Sequence, residues 1–383
     1  MGNVNLCDET LCTGCGACES ICPVRCINMT EDKYGELHPN VDKSRCIECG
    51  ACVRACHIIS KVKKNKPQHG FVAVRKNKNE LTRCASGGIG TLLMERAFSK
   101  GWKVFSTRYN EEFEPAILEV RAYSDIEKYK GSRYVQGITG DALKIIKEYL
   151  LSGRYVLFIG TPCQVAGLYS FLGKNYDRLI CCDLFCHGVV PSSYFKQELE
   201  YHRFKEYDNI TFRGWNKRED FWFIVWNKGK KVLAKQGNVN YYIKGFADNV
   251  ILREGCYNCG YSCAERVGDL SIGDFFSYDS VKEYNFKING VTSIVVNTDK
   301  GMELVNEVMD ELEYCKRPIE ETIKGGIHSE NKMNNRNKRK KFLSYYEKNG
   351  FANAVRKTLK KDMICAIIKR YINFIRRKLR LIR

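Results

Sequence analysis

The sequence runs to 383 residues, with 20 Cys, 63 Lys or Arg and 44 Asp or Glu, a formal charge of +19; that length allows two or three domains and at least one large core. Residues 331–383 alone hold 18 Lys or Arg against Glu347 and Asp362. The basicity therefore belongs to a tail without any recognisable nucleic-acid reading module, and nucleic-acid binding is set aside.

In chain order, MGNVNLCDET opens with no basic or apolar run, so no secretory signal is expected, and Leu6 stands where a myristoylation signal needs Ser or Thr. No apolar run reaches the roughly eighteen residues that a membrane-spanning helix requires. Reduced thiols fit the cytoplasm, which is the expected compartment. The elements predict an α+β chain. A Cys-rich, turn-rich domain at 1–66 ends in the polar connector KVKKNKPQH, and an α/β body follows, divided into 70–150 and 151–320. A basic helical tail occupies 325–383.

Within the body, FVAVRK, WKVFSTRY, RYVLFIG, RLICCDLF, ITFRGW, FWFIVWNKGKKVLAKQ with its turn, DLSIGDF and SIVVNT read as strands. GGIGTLLMERAFSKG, DALKIIKEYLLSG, the segment following Cys163 and KGMELVNEVMDELEYC read as helices.

The 20 cysteines fall in tight groups, which argues for metal ligation and against a disulfide framework. CTGCGACESICP supplies Cys12, Cys15, Cys18 and Cys22, followed by Pro23; CIECGACVRACH supplies Cys46, Cys49, Cys52 and Cys56. This is the repeated spacing of a two-cluster bacterial ferredoxin, in which three thiolates of one motif and the fourth of the other hold each 4Fe-4S cluster. The crossed sets are Cys12, Cys15, Cys18 and Cys56, and Cys46, Cys49, Cys52 and Cys22. Paired zinc sites are the alternative, made weak by eight cysteines in this repeated order. Gly14, Gly16 and Gly50 suit a backbone bent tightly around a cluster. His57 departs from the pattern, standing where proline usually follows, and Cys7 and Cys26 fall outside it and read as ordinary buried residues.

A second group lies in the body: Cys163 in GTPCQ, Cys181, Cys182 and Cys186 in CCDLFCHG, and Cys256, Cys259 and Cys263 in CYNCGYSC. CYNC has metal-ligand spacing, and Cys163 and Cys186 end strand-like runs where loops can converge, so a third cluster is expected. Cys163 alone could instead be a redox cysteine at a helix N-terminus. Cys181 and Cys182 sit inside an apolar strand and read as core.

SGGIGTLL, KGSRYVQ, GTPCQVAGL, FCHGVVPS, CYNCGYS with GDLSIGDF, and GVTSIVVNTDKG occur in this order. Together they resemble the family of coenzyme F420 hydrogenase/dehydrogenase beta subunits, here behind a dicluster ferredoxin domain, over residues 1–315. The resemblance implies an FAD-binding body with its own 4Fe-4S cluster, and a flavin is what converts single electrons from clusters into a hydride.

Carried onto this chain, Ser86, Gly87, Gly88 and Thr91 would open a helix towards flavin or phosphate, with close packing as the plainer reading. Lys130, Ser132, Arg133, Tyr134 and Gln136 would line the flavin. Cys163, Cys186, Cys256 and Cys259 would hold the third cluster, with Cys263 competing as fourth ligand. His187 has either a hydrogen-bonding role there or a structural one, and Asp269 and Asp274 read as turn residues.

In the tail, Ile364, Ile367, Ile368, Tyr371, Phe374, Ile375, Leu379 and Ile382 recur at helical spacing among Lys and Arg. Such a helix suits the inner face of an anionic membrane or docking onto protein. The function expected is an iron-sulfur flavoprotein oxidoreductase working with a redox partner protein or ferredoxin and a small hydride carrier or substrate. No GxGxxG in a βαβ setting points to NAD(P)H; coenzyme F420 is implied by resemblance. A ferredoxin-dependent reductase of a small organic or glycan-precursor substrate without F420, and a non-enzymatic, membrane-tethered electron-carrier subunit, are the alternatives.

Overall fold

A computed structural model describes residues 6–204, 206–213, 221–277, 290–326 and 335–380. The strands are β1 (Ile27–Glu31), β2 (Leu37–Val41), β3 (His69–Arg75), β4 (Lys103–Tyr109), β5 (Pro115–Glu119), β6 (Val156–Gly160), β7 (Leu179–Leu184), β8 (Asn209–Arg213), β9 (Phe221–Asn227), β10 (Lys230–Gln236), β11 (Leu270–Asp274), β12 (Thr292–Val296) and β13 (Leu312–Lys316). The Trp of ITFRGW lies outside the described residues.

The N-terminal part folds around the antiparallel hairpin β1–β2 and two short helices, Ala17–Ile21 and Ala51–Arg54. Each helix starts directly after a glycine in the left-handed region, Gly16 at φ 72° and Gly50 at φ 68°. That conformation reverses the chain inside each cysteine loop and costs little only for glycine.

The body is built on an eight-stranded sheet in the order β13-β3-β12-β11-β7-β6-β4-β5. Its centre, β11-β7-β6-β4, is parallel, and the flanking pairs are antiparallel. Period-2 alternation divides β6 between two cores: Leu157 and Ile159 face the helices Ile89–Ser99 and Asp299–Asn306, while Val156 and Phe158 face Ala142–Leu151 and Pro162–Leu172. Both faces being covered explains the near-continuous apolar runs of β6 and β7. Ala17 belongs to the second core, so the N-terminal part is seated on that face.

A third, aromatic core joins the small sheet β8–β10 to helices Ser192–Tyr201 and Tyr241–Ala247 and to the C-terminal helical segment Arg336–Arg380. Phe342, Phe351, Val355 and Leu359 are buried there, and Gly350 at φ 68° breaks the segment into two helices. The first half of the expected tail is thus part of the body. Its exposed apolar stripe begins at Ile364 and continues through Ile367, Ile368, Tyr371, Ile372 and Ile375. Ile382, and the side chains of Phe374 and Leu379, lie outside the described residues.

One helix differs from expectation. KGMELVNEVMDELEYC is α-helical only over Asp299–Asn306, makes one 3-10 turn at Met309–Glu311, and its last residues form β13, antiparallel to β3 with Leu312 opposite Arg75. The edge of β3 supplies backbone partners there, and Leu312 and Cys315 are buried by joining it.

Candidate functional site

The N-terminal cysteines ring two separate cavities. Cys12, Cys15, Cys18 and Cys56 line one together with Cys7; Cys22, Cys46, Cys49 and Cys52 line the other together with Cys26. Among the described residues no three His, Cys, Asp or Glu converge as a single ion requires; here the thiols surround voids. Cys7 and Cys26, read from sequence as ordinary buried residues, face these voids.

The body cysteines meet at the carboxyl ends of two neighbouring parallel strands. Thr161 follows β6 and caps the helix Pro162–Leu172 in a reciprocal pair with Gln164, which fixes Cys163 in the first turn. Cys186 lies two residues beyond β7, and the 256–263 loop closes the third side. The resulting cavity is lined by Cys163, Cys186, Cys256 and Cys259.

Cys263 is turned away from this cavity. Its thiol donates to the carbonyls of Gly260 and Glu265 and accepts from Lys64 Nζ at 3.3 Å. Burial, then the neighbouring thiols Cys186 and Cys259, push the Cys163 thiol well above its ordinary value. That opposes its reading as a helix-activated redox cysteine. Two buried polar atoms in the lining, Arg253 Nε and Ser262 Oγ, have no partner among the described residues. Unspent donors of this kind suit the sulfurs of a cluster.

Two buried arginines, which the sequence reading missed, hold this arrangement. Arg266 donates to Asp183 Oδ1 at 2.6 Å and to the carbonyls of Tyr261, Cys263 and Leu184, tying the cysteine loop to the end of β7. Arg253, 1% exposed, donates to Gln136 Oε1 at 2.6 Å and to the carbonyls of Cys12 and Leu37. It therefore crosses from the body to the first cysteine motif. Buried charges of this kind persist only when paired or hydrogen-bonded.

Thr13 lines both the first N-terminal cavity and the body cavity. Beside it His57 is bound from both sides, Nε2 to Thr13 Oγ1 at 3.0 Å and Nδ1 to the Tyr261 hydroxyl at 2.6 Å. Burial lowers the imidazole to about 4, so it is neutral at physiological pH. One ring nitrogen then donates and the other accepts, which the two hydroxyls can satisfy. The substitution of His for Pro that departs from the ferredoxin pattern is therefore a joint between the two parts. The backbones also touch: a Cβ on Gly255 would sit 2.4 Å from the Cys12 carbonyl oxygen, and one on Gly167 would sit 3.0 Å from Cys15 Sγ.

A cleft of about 420 Å³ opens at the carboxyl end of β4, on the same edge of the parallel stretch. Lys130, Ser132 and Arg133 line it, with Arg83, Arg108, Lys128 and Arg213 adding cations against Asp208. Three buried polar atoms in its wall, Arg133 Nε, Tyr109 Oη and Thr211 Oγ1, lack partners among the described residues. The size, charge and unspent groups suit a polar anionic ligand such as a dinucleotide.

Other residues expected at a flavin lie elsewhere. Tyr134 is stacked on Phe246 in the aromatic core, with its hydroxyl accepting from Arg213 Nε at 2.8 Å. Gln136 partners Arg253 next to the first cysteine motif. Ser86 donates to the Val291 carbonyl, Gly87 N to Thr292 Oγ1, and Gly88 at φ 79° caps the helix. A Cβ on Gly87 would lie 2.5 Å from the Ala73 carbonyl oxygen, so this loop serves close packing against β3 and β12. Thr91 is buried behind Cys84, itself part of the cleft wall.

His187 Nε2 is 3.2 Å from the Phe246 carbonyl oxygen. Asp269 accepts from Cys181 N and Thr298 Oγ1, a lock between strands, and Asp274 pairs with Arg213. Cys181 and Cys182 are fully buried on opposite faces of the sheet.

Residues 153–322 match the family described as the C terminus of the beta subunit of coenzyme F420 hydrogenase/dehydrogenase, and residues 11–58 match the 4Fe-4S dicluster domain. The F(420)H(2) dehydrogenase F subunit of Methanosarcina mazei is 23% identical over 329 residues, 80% of this chain and 85% of that one. The coenzyme F420-dependent sulfite reductase of Methanocaldococcus jannaschii is 24% identical over 317 residues, 79% of this chain and 46% of that protein. A chain of the F420-reducing NiFe hydrogenase complex from Methanosarcina barkeri aligns at TM-score 0.46 and 19% identity, covering 78% of this chain and 93% of that one.

Proposed function

From a chain that carries the C-terminal domain of coenzyme F420 hydrogenase/dehydrogenase beta subunits over residues 153–322 and a 4Fe-4S dicluster domain over residues 11–58, we propose an iron-sulfur flavoprotein oxidoreductase with three 4Fe-4S clusters and one FAD. Cys163, Cys186, Cys256 and Cys259 are the residues that would hold the third cluster. Lys130, Arg133 and Arg108 would compensate the diphosphate of FAD, which when bound supplies the conversion between single electrons and a hydride. The observation that carries this reading is adjacency: Thr13 walls both the first dicluster cavity and the four-cysteine body cavity. The cationic cleft opens on the same strand edge. Ligands gather at the carboxyl ends of parallel strands in open α/β sheets.

The relatives' names make coenzyme F420 the hydride carrier to test first and a redox protein the expected partner. We place the protein in the cytoplasm, with the cationic, apolar-striped helix beyond Met363 against the inner face of an anionic membrane. No helix among the described residues is long and apolar enough to cross a membrane.

The deciding experiment is the metal, sulfide and flavin content of anaerobically purified protein, followed by mixing with reduced F420. About twelve irons and one FAD per chain, with F420 oxidation, support the proposal. The same content without F420 oxidation favours a ferredoxin-dependent reductase of a small organic substrate. About eight irons and no flavin would leave only an electron carrier.

A further inference from the structure

Each dicluster cavity is faced by five thiols, one more than a 4Fe-4S cluster uses. At the second cavity the surplus thiol has a defined place. Cys26 is 1% exposed, and its Sγ lies 3.5 Å from that of Cys22. Its backbone N–H donates to Cys22 Sγ at 3.4 Å, and its carbonyl accepts from the Asp42 N–H at 2.7 Å. Cys26 thus directly precedes β1 with its backbone pinned on both sides. Cys22 follows the helix Ala17–Ile21, and a turn closed by Arg25 N to the Cys22 carbonyl at 3.2 Å links the two cysteines. The turn residue Arg25 is held at φ 50°, so the backbone is bent to bring the two sulfurs side by side.

We propose that Cys26 is an alternative fourth ligand of the cluster held by Cys46, Cys49 and Cys52, able to take the place of Cys22. The inference rests on the dicluster domain and adds to it a ligand that the eight-cysteine spacing does not contain. The exchange is a substitution at one iron. The iron–Sγ bond to Cys22 breaks and that thiolate takes up a proton; the Cys26 thiol gives up its proton and forms the new iron–Sγ bond. No electron changes hands. With the sulfurs 3.5 Å apart, a side-chain rotation on a fixed backbone spans the difference. The outcome is a cluster that survives loss or oxidation of one thiol.

The test compares full-length Cys22→Ala, Cys26→Ala and the double variant, purified anaerobically, by iron and sulfide content and by the EPR spectrum of the reduced protein. Either single variant is expected to keep its iron, with shifted g-values in Cys22→Ala, whereas the double variant loses about four irons. Should Cys22→Ala fold poorly, Cys22→Val with and without Cys26→Ala asks the same question, because valine fills the site but has no atom that can bind iron. Loss of the same iron from Cys22→Ala as from the double variant, or from Cys22→Val whether or not Cys26 is present, overturns the proposal. Wild-type protein lacking dicluster iron would overturn the dicluster reading itself and this proposal with it.

Discussion

His57 shows how much one side chain carries at this junction. Its two ring nitrogens bind hydroxyls from different parts of the chain, Thr13 of the first cysteine motif and Tyr261 of the body loop. In His57→Phe the ring volume is kept and both partners are lost, so two hydroxyls in a buried setting are orphaned. Each orphan costs about 1–3 kcal/mol. The expected result is a fall of about 2–5 kcal/mol in unfolding free energy, read from denaturant titration of the anaerobic protein, with the iron content of the isolated sample unchanged. An unaltered midpoint would mean that the hydroxyls find other partners and that His57 does not hold the joint. Position 57 was visible in the sequence as a departure from the ferredoxin pattern. Its partner was not, because Tyr261 lies 204 residues further on and only the folded chain brings them together.

The elements were legible where one physical rule dominates. Strands β6 and β7 announced themselves as apolar runs because both faces of the parallel stretch are covered, whereas the helix expected after Cys163 starts earlier, at Pro162, because Thr161 and Gln164 cap it there. The cysteine motifs were legible for a different reason, since ligand spacing is a local property of the chain. β13 was hidden because Glu, Leu and Lys at a sheet edge have helical propensity that pairing to β3 overrides. The residues expected at a flavin scattered for a related reason: a motif in sequence fixes neighbours along the chain, while the cleft wall is drawn from residues 83–84, 108–113, 128–133 and 208–213.

The tail misled through composition. Its charge runs continuously from Lys332 to Arg383, but its packing ends at Met363. Removal of residues 364–383 is therefore expected to leave the unfolding midpoint within about 0.5 kcal/mol of the full chain, as for exposed changes in general. The same truncation is expected to abolish flotation with vesicles containing anionic phosphatidylserine. Retained flotation would assign lipid binding to another surface.

At the scale of the whole molecule, the three-cluster flavoprotein proposed above would require the N-terminal part and the body to stay in register, and the contacts that hold them together are steric as well as polar. Glu36 of the N-terminal hairpin accepts from the backbone N–H of Glu254 and from Arg339 of the C-terminal segment, so one buried carboxylate joins three parts of the chain. One step away along the chain, Gly255 faces the Cys12 carbonyl oxygen with no room for a side chain. A Cβ at 2.4 Å cannot be accommodated by a rotamer change, because the atom it meets is backbone.

Gly255→Ala is therefore expected to push the first motif off the body while leaving each cysteine set intact in itself. Iron and sulfide should stay near wild-type content. The magnetic interaction between the first dicluster cluster and the body cluster, seen as splitting in the EPR spectrum of the fully reduced protein, should weaken, and electron delivery from dithionite to the flavin should slow by about tenfold or more, equivalent to at least about 1.4 kcal/mol in barrier. Cys163→Ala provides the contrasting control: it should remove about four irons and the splitting together, while the two N-terminal clusters keep their signals. If Gly255→Ala leaves both splitting and rate unchanged, the contact at Cys12 is not what sets the separation, and the junction is governed by Arg253 and His57.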